Sequence, residues 1–197
     1  MRLKIVQAGE DVLRQKARPL NPAEIKSREI QELIESMRET MHDAPGVGLA
    51  APQIGEALQL AVIEDKPEYT RDTPAGVLKE RERKPVAFHV IINPTITLKD
   101  HAGIEFFEGC LSLAGFTAIV PRARKVRVEC LDQYGEQKVI DASGWYARIL
   151  QHEIDHLHGT LYIDHMHTRT FMGLDNFSRY WKERSIAQAK KSAGIER

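Results

Sequence analysis

The sequence predicts an α+β protein, with small mixed or antiparallel sheets packed around a central helix that carries His152-Glu153-Ile154-Asp155-His156. Three observations lead there: an amphipathic helical stretch near the N-terminus, a run of short apolar segments through the middle, and a second, capped helix around residue 150. The 197 residues are 42% hydrophobic, an ordinary globular composition of a size that usually makes one domain. Twenty-eight basic residues balance 28 acidic ones, so no whole-chain field draws the protein onto DNA or a membrane. Apolar stretches such as Leu60-Ala61-Val62-Ile63 fall far short of the roughly 18 residues a membrane span needs. Cys110 and Cys130 are too few for a disulfide framework and fit a reducing compartment.

The elements follow in order. Within residues 27–43, Ile30, Leu33, Ile34, Met37 and Met41 recur at steps of three and four, and Pro45-Gly46 ends the helix. Asn21-Pro22 followed by Glu24 also reads as cap, first-turn proline and capping-box partner, which leaves an earlier start open. Strand character marks residues 60–63, 88–92, 95–98, 116–120 and 125–130. The turn Asp132-Gln133-Tyr134-Gly135 lets residues 137–140 return as the second strand of a hairpin. Residues 66–85 are charged, carry Pro67, Pro74 and Pro85 and show no period, so they read as a surface loop. Ser143 is placed to cap a second helix that runs to His158 and stops at Gly159. A single domain is expected over residues 1–175, with a polar, basic extension over residues 176–197. The absence of an Arg- and Ser-rich, acid-poor leader suggests a bacterial cytoplasm, an expectation that a processed organelle protein would also satisfy.

The chemistry is concentrated at residues 152–156. On a helix His152 and His156 project from one face, one turn apart, so both imidazoles reach one metal ion while Glu153 reaches an attacking water. Ile149, Leu150, Ile154 and Leu157 place this helix in the core, against the alternative of a solvent-facing helix with incidental histidines. Two histidines leave a catalytic metal one protein ligand short. The long zinc-protease motif would supply a histidine six residues beyond His156, but Tyr162 stands there. A glutamate from a later helix is the other protease solution, with Glu183 as its candidate. Cys110, inside Glu108-Gly109-Cys110-Leu111-Ser112, offers a thiolate that completes a Cys/His/His set.

Three segments, Gly46-Val47-Gly48-Leu49-Ala50-Ala51-Pro52-Gln53, Glu108-Gly109-Cys110-Leu111-Ser112 and Gln151-His152-Glu153-Ile154-Asp155-His156, resemble in order and separation the signature motifs of peptide deformylases. The resemblance spans roughly residues 1 to 170, and the stretch from Ser143-Gly144-Trp145 through Ile163-Asp164 is similar to the subclass found in organelles and some bacteria. Many bacterial members have Val-Pro or Ile-Pro where this chain has Leu113-Ala114, a change in the cleft that leaves the ligands intact. The resemblance implies one divalent metal on Cys110, His152 and His156, with Fe(II) as the physiological ion and Zn, Ni or Co also suited to a thiolate and two imidazoles. It assigns Glu153 to proton transfer, and the Gln53 amide and Leu111 backbone N–H to the oxyanion formed on the formyl group. A nascent N-formylmethionyl peptide would pair as an added strand with backbone at Gly48 and Gly109, close to Gly46. Its methionine would enter a pocket of Val47, Trp145 and Ile149, with Arg148 contributing its aliphatic stem at the rim. Glu108 and Arg122 match a family ion pair that braces the cysteine segment, here expected to be exposed and worth little.

The implied function is removal of the N-formyl group from the initiator methionine, with release of formate. Two rivals stand beside it. A zinc endopeptidase predicts a ligand beyond His156 and indifference to Cys110, whereas an inactive metal-stabilised binding protein would have no use for Glu153 or Gln53. Residues 178–197 hold six basic residues against Glu183 and Glu196; since some family members dock on the ribosome through a C-terminal extension, this one is a candidate to do so, the alternative being a solvated helix. Cys130 reads as a small buried apolar residue, and His158, His165 and His167 as solvated.

Overall fold

Alternation along the central strands decides the architecture. In a computed structural model that describes residues 2–100 and 103–195, the strand β2 (Leu60–Asp65) is buried on both faces, which is why residues 60–63 read as a continuous apolar run. Leu60 and Val62 face α2 (Arg28–Asp43), where Ile30, Ile34, Met37 and Met41 form the buried stripe. Ala61 and Ile63 face the opposite way, toward Ala147, Leu150, Ile154 and Leu157 of α4 (Gly144–Leu157). The main sheet, in the order β1-β2-β3-β6-β7, is therefore covered by one helix on each side and is antiparallel throughout. Its other strands are β1 (Gly48–Ala50), β3 (Val86–Leu98), β6 (Lys125–Leu131) and β7 (Gln137–Ser143). A second antiparallel sheet, β4-β5-β8, consists of β4 (Gly103–Glu108), β5 (Phe116–Ala123) and β8 (Met172–Gly173). Gln151 ties α4 to this sheet: its Oε1 accepts from the Ala123 N–H and its Nε2 donates to the Ala123 carbonyl, both at 2.9 Å.

Several local expectations are refined. Both candidate helix starts exist, because Pro22–Ile25 (α1) forms one turn with its own capping box and Ser27 then caps α2 by accepting from Ile30 N–H at 3.3 Å. The segments 88–92 and 95–98 are one strand with a register shift between Ile92 and Thr95, where Asn93 takes φ 50° and exchanges two hydrogen bonds with Leu20. The loop expected over residues 66–85 carries α3 (Ala75–Glu80) and is anchored by Arg83, which donates twice to the buried Asp65 carboxylate at 2.8 Å. Ser143 makes no side-chain cap. It ends β7, and Gly144 turns directly into α4 with φ +61°, where an added Cβ would lie 2.4 Å from Glu82 Cβ. Gly159 ends α4 with φ +74°, as its position suggested.

Beyond β8, α5 (Leu174–Asn176) passes into a π turn over Phe177–Trp181 and then α6 (Ile186–Ser192). Within this polar and basic stretch Ala189 is fully buried, and Phe177, Trp181 and Ile186 pack with it on Phe107 and Ile119. No described helix is long and apolar enough to cross a membrane.

Candidate active site and metal centre

Helix α4 sets the site because it presents His152, Glu153 and His156 from inside the core, with Glu153 and His156 only 3% and 1% exposed. The third donor arrives from the end of β4, where Gly109-Cys110 leads into a turn closed by Leu113 N–H donating to the Cys110 carbonyl at 3.0 Å. One ligand atom each from Cys110, His152 and His156 lies within 4.8 Å of the others, and no other such group of three occurs among the described residues. Cys110 Sγ is 3.3 Å from His156 Nε2 and receives the Ser112 N–H at 3.4 Å and Gln53 Nε2 at 3.5 Å. Buried His156 Nδ1 and Glu153 Oε2 have no hydrogen-bond partner. A sulfur and two imidazoles converging beside an unpartnered carboxylate fit a divalent transition metal with an open coordination position.

Charge around the site is organised by Glu108. Its carboxylate accepts from Arg122 at 3.0 and 3.1 Å, from Arg148 Nη1 at 2.5 Å and from His152 Nδ1 at 3.1 Å. Burial works against the ionised form, yet Arg122 and His152 hold it well below the usual carboxylate range. Donation from Nδ1 directs His152 Nε2 toward the ligand cluster. For the imidazoles, burial lowers the His156 pKa, and the neighbouring His152 adds to that; in His152 the same burial is outweighed by bonds to Cys110 and Glu108, which raise it. Burial pushes Glu153 up to about 7, against the attraction of His152. A carboxyl group poised there can both take and return a proton near neutrality.

Gln53 is 1% exposed. Its Oε1 accepts from Ala50 N–H at 2.9 Å, which turns Nε2 toward Cys110 and Ser112. Among the described residues nothing accepts from the Leu111 N–H. Gly46, Val47, Gly48, Gln53, Gly109, Cys110, Leu111, Trp145, Arg148, Ile149, His152 and Glu153 all line one cleft of about 510 Å³. Gly48 is required by contact, since a Cβ there would stand 2.1 Å from Glu153 Oε1.

Two expectations are corrected. Arg148 is not a rim residue: it is 2% exposed, with its guanidinium turned inward to Glu108, the Val120 carbonyl at 3.0 Å and the Ile104 carbonyl at 2.7 Å. The Glu108–Arg122 pair is buried, not exposed, and extends to Asp155 at 2.5 Å. His165 and His167 are also engaged, with Asp155 and Glu105 respectively, whereas His158 is exposed. Cys130 is buried as expected, and burial raises its thiol to about 11. Glu183, the endopeptidase candidate, is exposed and stands outside the ligand group. Sequence reasoning missed Phe107, Phe116 and Leu174 on the cleft wall. Phe107 and Phe116 flank the cysteine segment and were within reach; Leu174 is delivered by β8 from far along the chain and leaves no local signal.

The family model described as polypeptide deformylase matches residues 2–171. The chain belongs to the peptide deformylase family. The deformylase named peptide deformylase 1A, chloroplastic, from Solanum lycopersicum is 49% identical over 87% of this chain and 62% of its own length, and the chloroplastic/mitochondrial form from Arabidopsis thaliana is 47% identical over 88% and 64%. The chain thus spans somewhat under two thirds of these two plant deformylases. Peptide deformylase 1 of Streptomyces coelicolor is 40% identical over 98% of this chain and 87% of its own. Among solved deformylases, the Met-Ala-Ser bound class I type b enzyme from Acinetobacter baumannii superposes with a TM-score of 0.75 at 30% identity, covering 84% of this chain and 99% of that one.

Proposed function

We propose that the protein is an active peptide deformylase that hydrolyses the N-formyl group of the initiator formylmethionine on nascent polypeptides, releasing formate. The observation that carries this reading is the convergence of Cys110, His152 and His156 beside the buried, unpartnered Glu153 carboxylate, in a chain of this family. The likeness of the fold to a deformylase solved with Met-Ala-Ser bound supports the substrate class. A divalent ion, for which we propose Fe(II) with Zn, Ni or Co as substitutes, would be held by Cys110, His152 and His156 and would supply Lewis acidity toward the formyl carbonyl and the attacking water.

The protein's own groups then divide the work. Glu153 takes a proton from water as its oxygen adds to the formyl carbon, and returns a proton to the nitrogen as the C–N bond breaks, leaving formate and a free amine. Gln53 Nε2 and the Leu111 N–H donate to the formyl oxygen as negative charge grows on it, Gln53 already oriented by Ala50. Val47, Trp145 and Ile149 receive the methionine side chain, and the edge of β1 at Gly48, together with Gly46 and Gly109, accepts the extended backbone. Arg148 holds Glu108 with its buried guanidinium, while the residue lines the cleft beside Trp145 and Ile149, where its aliphatic stem would meet the methionine side chain.

Residues 1–175 make up the proposed hydrolase unit and residues 176–197 a basic segment, of which Phe177, Trp181, Ile186 and Ala189 pack back onto Phe107 and Ile119. Arg179, Lys182 and Lys191 remain exposed there, which supports an electrostatic ribosome contact. The proposed setting is a compartment that starts translation with formylmethionine, in keeping with bacterial, chloroplastic and mitochondrial relatives. Incubation of metal-loaded protein with formyl-Met-Ala-Ser tests the central reading. Formate release without internal peptide cleavage is expected; internal cleavage would favour the endopeptidase rival, and neither product the inactive binding protein.

A further inference from the structure

The two groups assigned to the formyl oxygen sit on separate loops, Gln53 in the turn Ala51–Ile54 and Leu111 in the cysteine segment. Among the described residues no backbone hydrogen bond joins those loops directly. Three consecutive residues near the N-terminus make the join instead. Val6 N–H donates to the Gln53 carbonyl at 2.9 Å, and Ala8 N–H donates to the Ser112 carbonyl at 2.8 Å. Between them the Gln7 side chain grips the cysteine segment at two points. Its Nε2 donates to the Leu111 carbonyl at 2.9 Å, and its Oε1 accepts from the Ala114 N–H at 3.2 Å. A carboxamide presents donor and acceptor side by side, so one side chain fixes both ends of the turn from Leu111 to Ala114.

Such a grip matters because oxyanion donors work only when held where the charge will form, and a small displacement forfeits most of their effect. Gln53 is buried and oriented by Ala50, whereas the Leu111 peptide belongs to a turn whose carbonyl side is met by Gln7. Gln7 is exposed, so its two bonds supply geometry and not core packing. It does not line the cleft, so any effect on the reaction passes through the cysteine segment. We propose that Gln7 is a positioning residue: with the backbone of Val6 and Ala8 it sets the separation between the Gln53 amide and the Leu111 N–H, and so tunes oxyanion stabilisation without touching substrate. The inference rests on the deformylase reading above.

Gln7→Ala removes both bonds, and Gln7→Glu keeps the acceptor for Ala114 N–H while setting a carboxylate against the Leu111 carbonyl. Glu10→Ala, at an exposed position in the same segment, is the control. Formate release from formyl-Met-Ala-Ser is measured on metal-loaded proteins, with metal content by elemental analysis and thermal unfolding alongside. Loss of a whole oxyanion donor costs about 10²- to 10³-fold in kcat, so displacing one should cost about tenfold. Both Gln7 variants should show that fall in kcat, with KM and metal content close to the parent's, and Glu10→Ala should match the parent throughout. A role in folding alone would appear instead as lost metal, a lower unfolding temperature or a raised KM. A kcat equal to the parent's in both Gln7 variants, or a fall that tracks metal loss or is carried by KM, would overturn the proposal. No formate from the parent itself would overturn the deformylase reading, and the role of Gln7 with it.

Discussion

His152 Nδ1 donates to Glu108 Oε2 across 3.1 Å, so a proposed metal ligand is braced by a carboxylate that also pairs with two buried arginines. Glu108→Ala would leave Arg148 without a counter-charge and Arg122 with Asp155 alone. We expect a loss of about 3 to 5 kcal/mol in unfolding free energy. Metal affinity should fall by about 10- to 100-fold because His152 loses its orienting partner. Denaturant unfolding and competitive metal titration measure the two effects; wild-type values in both would mean that the brace is not functional.

The ligand set predicts a sharp contrast between two residues. Cys110→Ala should lose metal and activity together, while Glu183→Ala, altered at an exposed position, should keep both. Elemental analysis after dialysis, alongside formate release, decides it, and a fully metallated, active Cys110→Ala protein would contradict the assignment.

Chemistry should separate from metal binding at Glu153. Glu153→Ala is expected to retain the ion yet lose about 10²- to 10⁴-fold in kcat, and Gln53→Ala to lose on the order of 10²-fold. Gly48→Ala should behave like a mild Glu153 variant, since its methyl group would displace the carboxylate while the three ligands stay in place. Turnover of metal-loaded Glu153→Ala within tenfold of the parent would remove the proposed proton shuttle.

Acid should release α6. Burial works against the Glu105 carboxylate, but hydrogen bonds from Lys190 at 2.6 Å and His167 at 2.5 Å outweigh it and lower the pKa from the ordinary 4.5. A depressed carboxylate contributes stability above its unfolded value and loses it as pH falls through the lower folded value. Amide-exchange protection over residues 189–193, corrected for intrinsic rates, should therefore drop below pH 4.5. The drop should be missing in Glu105→Gln, which is loosened at every pH.

The ribosome contact is expected to be electrostatic. Charge reversal at Lys182 and Lys191, both exposed, should weaken salt-sensitive co-sedimentation with ribosomes and spare turnover of formyl-Met-Ala-Ser. Deleting residues 178–197 is the poorer test, because Ala189 and Trp181 pack on Phe107 of the cleft wall. Unchanged co-sedimentation would leave the basic segment a solvated surface.

What could be read in the sequence was whatever chemistry is local. His152 and His156 share a helical face, and the α2 stripe repeats at three and four residues, so both follow from spacing alone. The Glu108 hub joins residues 14, 40 and 44 positions apart, and no spacing rule reaches that far. β4 went unread because Phe106 and Phe107 are adjacent aromatics that pack on opposite sides, Phe106 against Trp145 and Phe107 against Phe177, which erases a two-residue period. Arg148 was misplaced for a related reason: its burial depends on carbonyls of Ile104 and Val120 that only the assembled second sheet supplies.

The three-residue edge strand β1 also sets a clock. All of Gly48–Ala50 is buried, so on the proposed reading the edge is open only to a single extended chain, never to a strand already held in another sheet. A client's N-terminus therefore competes between entering this slot and joining its own fold. Ribosomes add about 5 to 20 residues each second, and N-terminal segments fold first. Proteins whose opening residues enter structure early would leave only seconds for processing, and timing would decide which chains keep the formyl group.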